Sequence, residues 1–90
     1  MAKIKFTSAL KHFFPTLSDH DISVASVEEA LQAIEKIYPG MLNYIVNEDG
    51  SLRKHVNIFV KGELIKDRIT LKDKLNPQDE LLIFQALSGG

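Results

Sequence analysis

The stretch Ser26-Val27-Glu28-Glu29-Ala30-Leu31-Gln32-Ala33-Ile34-Glu35-Lys36-Ile37-Tyr38-Pro39-Gly40 decides how the rest of the chain is read. Ser26 with Glu29 three residues on is a capping box. The hydroxyl accepts from the Glu29 amide, and the Glu29 carboxylate turns back to the cap. Val27, Ala30, Leu31, Ile34, Ile37 and Tyr38 then recur at three and four residues, placing one apolar stripe along a helix of about three turns. Pro39-Gly40 stops it. A helix with a single greasy face needs an apolar surface to lie on, and the flanking sequence supplies a sheet.

Upstream, Ile4, Phe6, Ser8 and Leu10 share one parity, which predicts a first strand over Lys3 to Leu10. Lys11 to Leu17, with Pro15, reads as a loop, and Ile22 and Val24 predict a second strand that closes a hairpin. Downstream, Met41 to Leu52 fits either a short helical turn or a strand, with Glu48-Asp49-Gly50 as a turn. His55 to Val60 predicts a strong strand, Lys61-Gly62 a tight connection, and Leu64-Ile65 a short partner strand. Leu71 to Leu75 predicts a single helical turn, Pro77-Gln78-Asp79-Glu80 a polar turn, and Leu81 to Leu87 the last strand. The result is an α+β domain in which a mixed sheet of four to five strands packs on one main helix. The first and last strands are expected side by side and parallel at the centre, since the crossover between them is long and contains the helix.

Ninety residues make one domain, able to bury somewhat over ~60% of its unfolded surface. Hydrophobic residues make up 44% and charged residues 26%, as in ordinary globular proteins, and the net charge of -1 gives no general pull toward nucleic acid or an anionic membrane. No cysteine is present, which excludes disulfides, thiol nucleophiles and thiolate metal sites. Lys3, Lys5 and Lys11 break up the apolar residues that a signal peptide needs, and no apolar run is long enough to span a bilayer. A cytoplasmic location is expected.

The sequence ends Ser88-Gly89-Gly90. One reading is a frayed end without function. Directly after a buried-looking strand, however, two glycines form a thread without Cβ atoms, fixed to a rigid body and able to enter a narrow tunnel. The ending Ala86-Leu87-Ser88-Gly89-Gly90, the strand-turn His55-Val56-Asn57-Ile58-Phe59-Val60-Lys61-Gly62 and the turn Pro77-Gln78-Asp79-Glu80 together resemble the MoaD/ThiS family of sulfur carriers. The resemblance spans nearly the whole chain. It departs at Pro77-Gln78-Asp79, where the family often has a glycine before the acidic pair.

The resemblance implies a ubiquitin-like β-grasp domain over residues 1–87 and an extended, flexible tail over 88–90. It implies that the protein is a co-substrate and not an enzyme, although it could be the non-catalytic small subunit of a synthase. An adenylating enzyme related to ubiquitin-activating enzymes would use ATP and Mg²⁺ to convert the Gly90 carboxylate to an acyl-adenylate. A sulfur donor, a sulfurtransferase or desulfurase, would displace AMP and leave a thiocarboxylate. Leu87, Ser88 and Gly89 would lie in the partner's active site, and a downstream synthase would take the sulfur into molybdopterin, thiamine, cysteine or a thionucleoside. The competing function is a ubiquitin-like modifier joined to lysines through Gly90. No cofactor, metal, nucleic acid or membrane is expected to be bound.

Strand parity adds a candidate docking face. If the helix covers Val56, Ile58, Val60, Leu81 and Ile83, then Phe59, Leu82 and Phe84 stand on the opposite face. An exposed aromatic cluster leading into the tail could seat a partner. The competing expectation is a secondary core, with Phe59 and Phe84 under the segment Met41 to Arg53.

Other constellations carry little. His12, His20 and His55 lack metal-ligand spacing and read as solvated loop or strand-end residues. Glu28, Glu29, Glu35 and Lys36 read as the wet face of the helix. No serine has a nucleophile-elbow setting, no glycine-rich loop opens a helix, and no cleft for paired acid-base carboxylates is expected in so small a domain. Lys54, Lys61, Lys66, Arg68, Lys72 and Lys74 are interleaved with acids, as on an ordinary solvated surface.

Overall fold

The central pair of the sheet is β1 (Ala2–Phe6) and β5 (Glu80–Gln85), which run parallel with Ile4 opposite Leu81 and Phe6 opposite Ile83. The structure, a computed structural model, describes residues 1–85. β2 (His20–Ile22) pairs antiparallel with β1. β3 (Val56–Val60) pairs antiparallel with β5, and β4 (Glu63–Leu64) closes the far edge on β3. The sheet order is therefore β2-β1-β5-β3-β4. Among the described residues three helices accompany it: α1 (Ser8–Lys11), α2 (Val27–Ile37) and α3 (Leu42–Ile45).

The core lies between α2 and one sheet face. Val27, Ala30, Leu31 and Ile34 of α2 meet Ile4, Val56, Ile58, Leu81 and Ile83, all buried. Tyr38, Met41, Ile45 and Leu52 extend this cluster, so the segment after α2 joins the main core. The apolar stripe stops short of Ile37, which is 45% exposed beyond the edge of the packed surface.

The capping box forms, with a small difference. The Glu29 amide donates to Ser26 Oγ at 3.2 Å, while the Glu29 carboxylate accepts from the Ala25 amide, one residue before the cap. The next amides of α2 look further afield: Val27 N–H donates to the Asp73 carbonyl and Glu28 N–H to the Leu71 carbonyl, at 3.0 and 2.8 Å. These satisfy donors that every helix start leaves open. They also explain why residues 71–75 are not the helical turn that their apolar spacing predicts. Leu71 sits at φ 58 with its side chain buried, Lys74 forms an isolated antiparallel bridge with Ser26, and the carbonyls of Leu71 and Asp73 are given to α2.

Other boundaries differ for local reasons. The first strand ends at Phe6; Ser8 and Leu10 keep their parity but belong to α1, a turn that buries Ala9 and Leu10 together. The second strand is His20–Ile22, and Val24 packs on the core beyond the ladder. In the ambiguous segment both readings hold in part: α3 is a single turn, followed by an isolated antiparallel bridge between Val46 and Leu52. β4 starts one residue early because Lys61 and Gly62 form a two-residue connection with both φ positive, 55 and 81, the twist that a tight hairpin requires. Ile65 then turns inward.

Glu35, expected on the wet face of α2, stitches two helices together. Its carboxylate accepts from the amides of Gly40 and Leu42, each at 2.9 Å, which spans the break at Pro39-Gly40 and fixes the start of α3. The Gly40 bond first and the Leu42 bond second hold the Glu35 carboxyl below the usual carboxylate range. His20 is likewise not a solvated histidine: its Nε2 lies 2.7 Å from the Tyr38 hydroxyl, which also accepts from the Ser18 amide.

Candidate functional site

β5 is the element that delivers the end of the chain. It is flanked on both sides, by β1 and by β3, and its last described residues are pinned. The Thr7 amide donates to the Ile83 carbonyl at 3.2 Å, and the Gln85 amide to Thr7 Oγ1 at 3.4 Å. A central strand so bounded is a rigid base for whatever follows Gln85. Leu87, Ser88, Gly89 and Gly90, together with the boundary between domain and tail expected at 87/88, lie outside the described residues.

The three residues of the candidate docking patch are brought together. Phe59 is the register partner of Leu82 across β3 and β5, and Phe84, two pairs further along, lies opposite Asn57. Residues paired in register share a face, so all three side chains stand on the face turned away from α2. Phe84 is 39% exposed, while Phe59 and Leu82 are half-buried. None belongs to the core cluster or to an aromatic pair. The aromatic residue of the segment 41–53, Tyr44, stacks instead on Phe13 at 4.6 Å, on the helix side. The secondary core that was the competing expectation for Phe59 and Phe84 is therefore not formed among the described residues.

The patch has defined polar edges. Toward β1 it meets Lys5, the register partner of Leu82, whose ammonium lies 3.4 Å from Glu80. Toward the start of β3, Asn57 Oδ1 accepts from Arg68 Nη1 at 3.1 Å, and Arg68 Nη2 donates to the carbonyls of Arg53 and Val56 at 2.8 and 3.0 Å. An apolar centre with a hydrogen-bonded rim is the composition of a protein-docking surface.

A feature that sequence reading passed over lies on the other side of β5. Beside Gln85, on the helix side, a cleft of about 390 Å³ is lined by Asn43, Tyr44, Arg53, Lys54, His55 and Gln85, among others. The signal was the basic run Arg53-Lys54-His55 just ahead of a strand. By sequence alone Lys54 and His55 read as solvated surface, because nothing in the sequence brings them next to the chain end. Only the antiparallel register, which places Val56 opposite Gln85, does so.

Among the described residues no group of three or more His, Asp or Glu is arranged to hold a metal, and no helix is long and apolar enough to cross a membrane. Among the described residues, no nucleophile with an adjacent base lines the cleft; its side chains can bind and orient, through charge and hydrogen bonds.

The family model described as the ThiS family matches residues 6–90. Small archaeal modifier protein 1 of Haloferax volcanii is 32% identical over 66 residues, covering 73% of this chain and 71% of that protein. Among solved structures, the crystal structure of the Amycolatopsis orientalis BexX/CysO complex contains a chain that superposes with a TM-score of 0.84, at 20% identity and with both chains fully covered. The crystal structure of SAMP1 from Haloferax volcanii gives a TM-score of 0.78 at 26% identity, covering 99% of this chain and 98% of the other.

Proposed function

This chain belongs to the ThiS family, whose members are ubiquitin-like sulfur carriers and small protein modifiers, and on that premise we propose that its working group is the carboxylate of Gly90. The observation that carries the reading is the Gly89-Gly90 ending, five residues beyond the last residue of β5 and inside the span that the family model matches. A carboxylate is a poor acyl electrophile and needs activation. An adenylating enzyme related to ubiquitin-activating enzymes, with ATP and Mg²⁺, joins a Gly90 carboxylate oxygen to the α-phosphorus and releases pyrophosphate. The terminal sulfur of a persulfide on a sulfurtransferase or desulfurase then attacks the acyl carbon. The bond to the AMP oxygen breaks and AMP leaves, giving an acyl disulfide. A second thiol attacks the donor's sulfur, forms a disulfide with it and so breaks the acyl disulfide's S–S bond, and the sulfur remains on Gly90 as a thiocarboxylate.

The domain itself acts as a co-substrate. Its β5 holds the tail root still, Leu87, Ser88 and Gly89 thread the partner's active site, and Phe59, Leu82 and Phe84 seat the partner. A downstream synthase takes the sulfur, in the cytoplasm, into a cofactor, cysteine or a thionucleoside. Intact-mass measurement of the protein purified from its source tests this. The expected result is a fraction heavier by one oxygen-to-sulfur exchange, located on Gly90. Sulfur transfer continuing at full rate in a variant without Gly89 and Gly90 overturns it.

The identity of 32% to a small archaeal modifier protein favours a second reading, in which the same acyl-adenylate passes to a lysine amine and forms an isopeptide bond. High-mass conjugates of a tagged chain that vanish when Gly90 is deleted are its signature.

A further inference from the structure

We infer that the basic cleft beside Gln85 is a second contact for the adenylating enzyme, and that it takes an acidic segment at the mouth of that enzyme's tail channel. The inference rests on the Gly90 reading and adds to it the chemistry of the partner's rim. Position is the first ground. The patch of Phe59, Leu82 and Phe84 lies on one face of β5, and the cleft lies on the other, where Gln85 shares the parity of Leu81 and Ile83. Five extended residues reach at most ~17 Å beyond Gln85. A partner that grips Gly90 at its reactive centre therefore has its own surface against both sides of the tail root.

Charge is the second ground. Arg53, Lys54 and His55 are all exposed, and among the described residues none of them has a carboxylate within ion-pair distance. Glu48 lines an adjoining hollow with Arg53 but forms no ion pair with it. At the rim of the patch, the Arg68 guanidinium is satisfied by Asn57 Oδ1 and the carbonyls of Arg53 and Val56, all neutral, so its charge too is left uncancelled by them. Arg53 is held in place by donating from Nη1 to the Asn43 carbonyl at 2.6 Å. The described ion pairs, Lys5 with Glu80, Lys61 with Asp79 and Lys72 with Glu28, all lie elsewhere.

An unpaired acceptor is the third ground. Among the described residues, Gln85 Oε1, in the wall of this cleft, is buried without a hydrogen-bond partner. A buried acceptor left open costs the full desolvation of the group, so a turn of the Gln85 side chain toward an incoming N–H recovers that cost. An acidic peptide offers both halves: a backbone N–H for Gln85 and carboxylates for Lys54 and His55. A phosphate offers the charge without the donor, and the ATP used in activation sits at the far end of the tail.

The test uses ATP–pyrophosphate exchange catalysed by the adenylating enzyme of the source organism, with the full chain as acyl substrate. The charge-reversed variant Lys54→Glu/His55→Glu is expected to raise the KM for the carrier at least about tenfold and to flatten its rise with salt, because steering by opposite charges is screened by ions. A chain without Gly90 gives no exchange. If that deletion leaves exchange intact, the Gly90 reading fails. If the deletion abolishes exchange while the charge-reversed variant keeps the wild-type KM and salt dependence, the cleft inference alone fails. Amide NMR titration of the wild-type chain with the peptide acetyl-Glu-Asp-Glu-Gly-Asp-Glu-amide supplies a readout independent of the enzyme. Shifts centred on Lys54, His55 and Gln85 are expected, and Mg-ATP shifting the same amides more strongly overturns the assignment to a peptide.

Discussion

The strand pair β3–β5 and the segment from Ile65 to Asp79 occupy comparable lengths of chain and are held by opposite means. In the strand pair, burial alternates with parity: Val56, Ile58, Leu81 and Ile83 are sealed under α2, while Asn57, Phe59, Leu82 and Phe84 face the other way. In the segment 65–79, only Ile65, Leu71, Leu75 and Asp79 turn inward, and the backbone is held by carboxylates. Asp67 accepts from the amides of Ile69, Thr70 and Lys72 and from the Thr70 hydroxyl. Asp73 accepts from the amides of Lys66 and Asp67, and Asp79 from that of Asn76. Hydrophobic periodicity specifies the first region, whereas side-chain-to-backbone bonds specify the second without leaving a period.

The strongest way to break this contrast is Ile83→Ala. Ile83 is fully buried at the crossing of α2 and the two central ladders, so truncation removes apolar contacts and leaves a cavity. A loss of about 3 kcal/mol is expected in denaturant unfolding. A loss below about 1 kcal/mol would mean that the sheet is not held by the face assigned to it. The neighbouring Phe84→Glu sharpens the same point from the other side of the strand. Stability should stay within about 0.5 kcal/mol. Binding to the adenylating enzyme should weaken at least tenfold, about 1.4 kcal/mol. Normal activation kinetics with a native circular-dichroism spectrum would remove Phe84 from the docking surface.

How much was legible in the sequence follows from this division. The capped helix and the alternating strands are readable because each rests on a repeat of apolar residues, and the parallel central pair because a long crossover containing the helix joins its strands. The open-face position of Phe59, Leu82 and Phe84 follows from the same period. The turn over 71–75 was misread because Leu71 and Leu75 have helical spacing, but their burial comes from a strap whose carbonyls close the start of α2. Nothing in the local sequence announces that task. Glu35 was misread for a related reason, since its partners, the amides of Gly40 and Leu42, lie beyond a helix break. The basic cleft required the register between Val56 and Gln85, a long-range pairing that no local pattern fixes.

The carboxylate-held region should respond to acid where the strand pair does not. The bonds from the Thr70 hydroxyl and then the amides of Thr70 and Lys72 hold the Asp67 carboxyl well below the usual range. Bonds from the Ser51 hydroxyl and amide lower Asp49 in the same sense. A group whose folded-state value is depressed stabilises the fold above its unfolded value and loses that contribution as pH falls through the folded one. Between about pH 4 and pH 2, protection of the Ile69, Thr70 and Lys72 amides, relative to intrinsic exchange, should therefore fall before that of Ile58 and Ile83. Asp67→Ala should produce the same local loss at neutral pH, severalfold in exchange rate, with the β3–β5 amides unchanged. Uniform loss across both regions would show that the segment 65–79 is not an independent opening unit.

The smallest expected effect concerns one backbone angle. Asn76-Pro77-Gln78-Asp79 is a turn closed by the Asp79 amide donating to the Asn76 carbonyl at 3.1 Å, with Pro77 in its second position and Gln78 at φ 73. That geometry favours glycine in the third position, since a Cβ is crowded there. The Gln78 amide donates to the Met1 carbonyl, a bond that glycine retains, and the exposed Gln78 side chain makes no hydrogen bond among the described residues. Glycine loses more freedom on folding, which offsets part of the gain. Gln78→Gly should accordingly stabilise the domain by about 0.5 kcal/mol, and Gln78→Ala should leave it unchanged within error. Equal stability of the glycine and alanine variants would show that the left-handed turn carries no strain and that Asp79 and Pro77 alone set its shape.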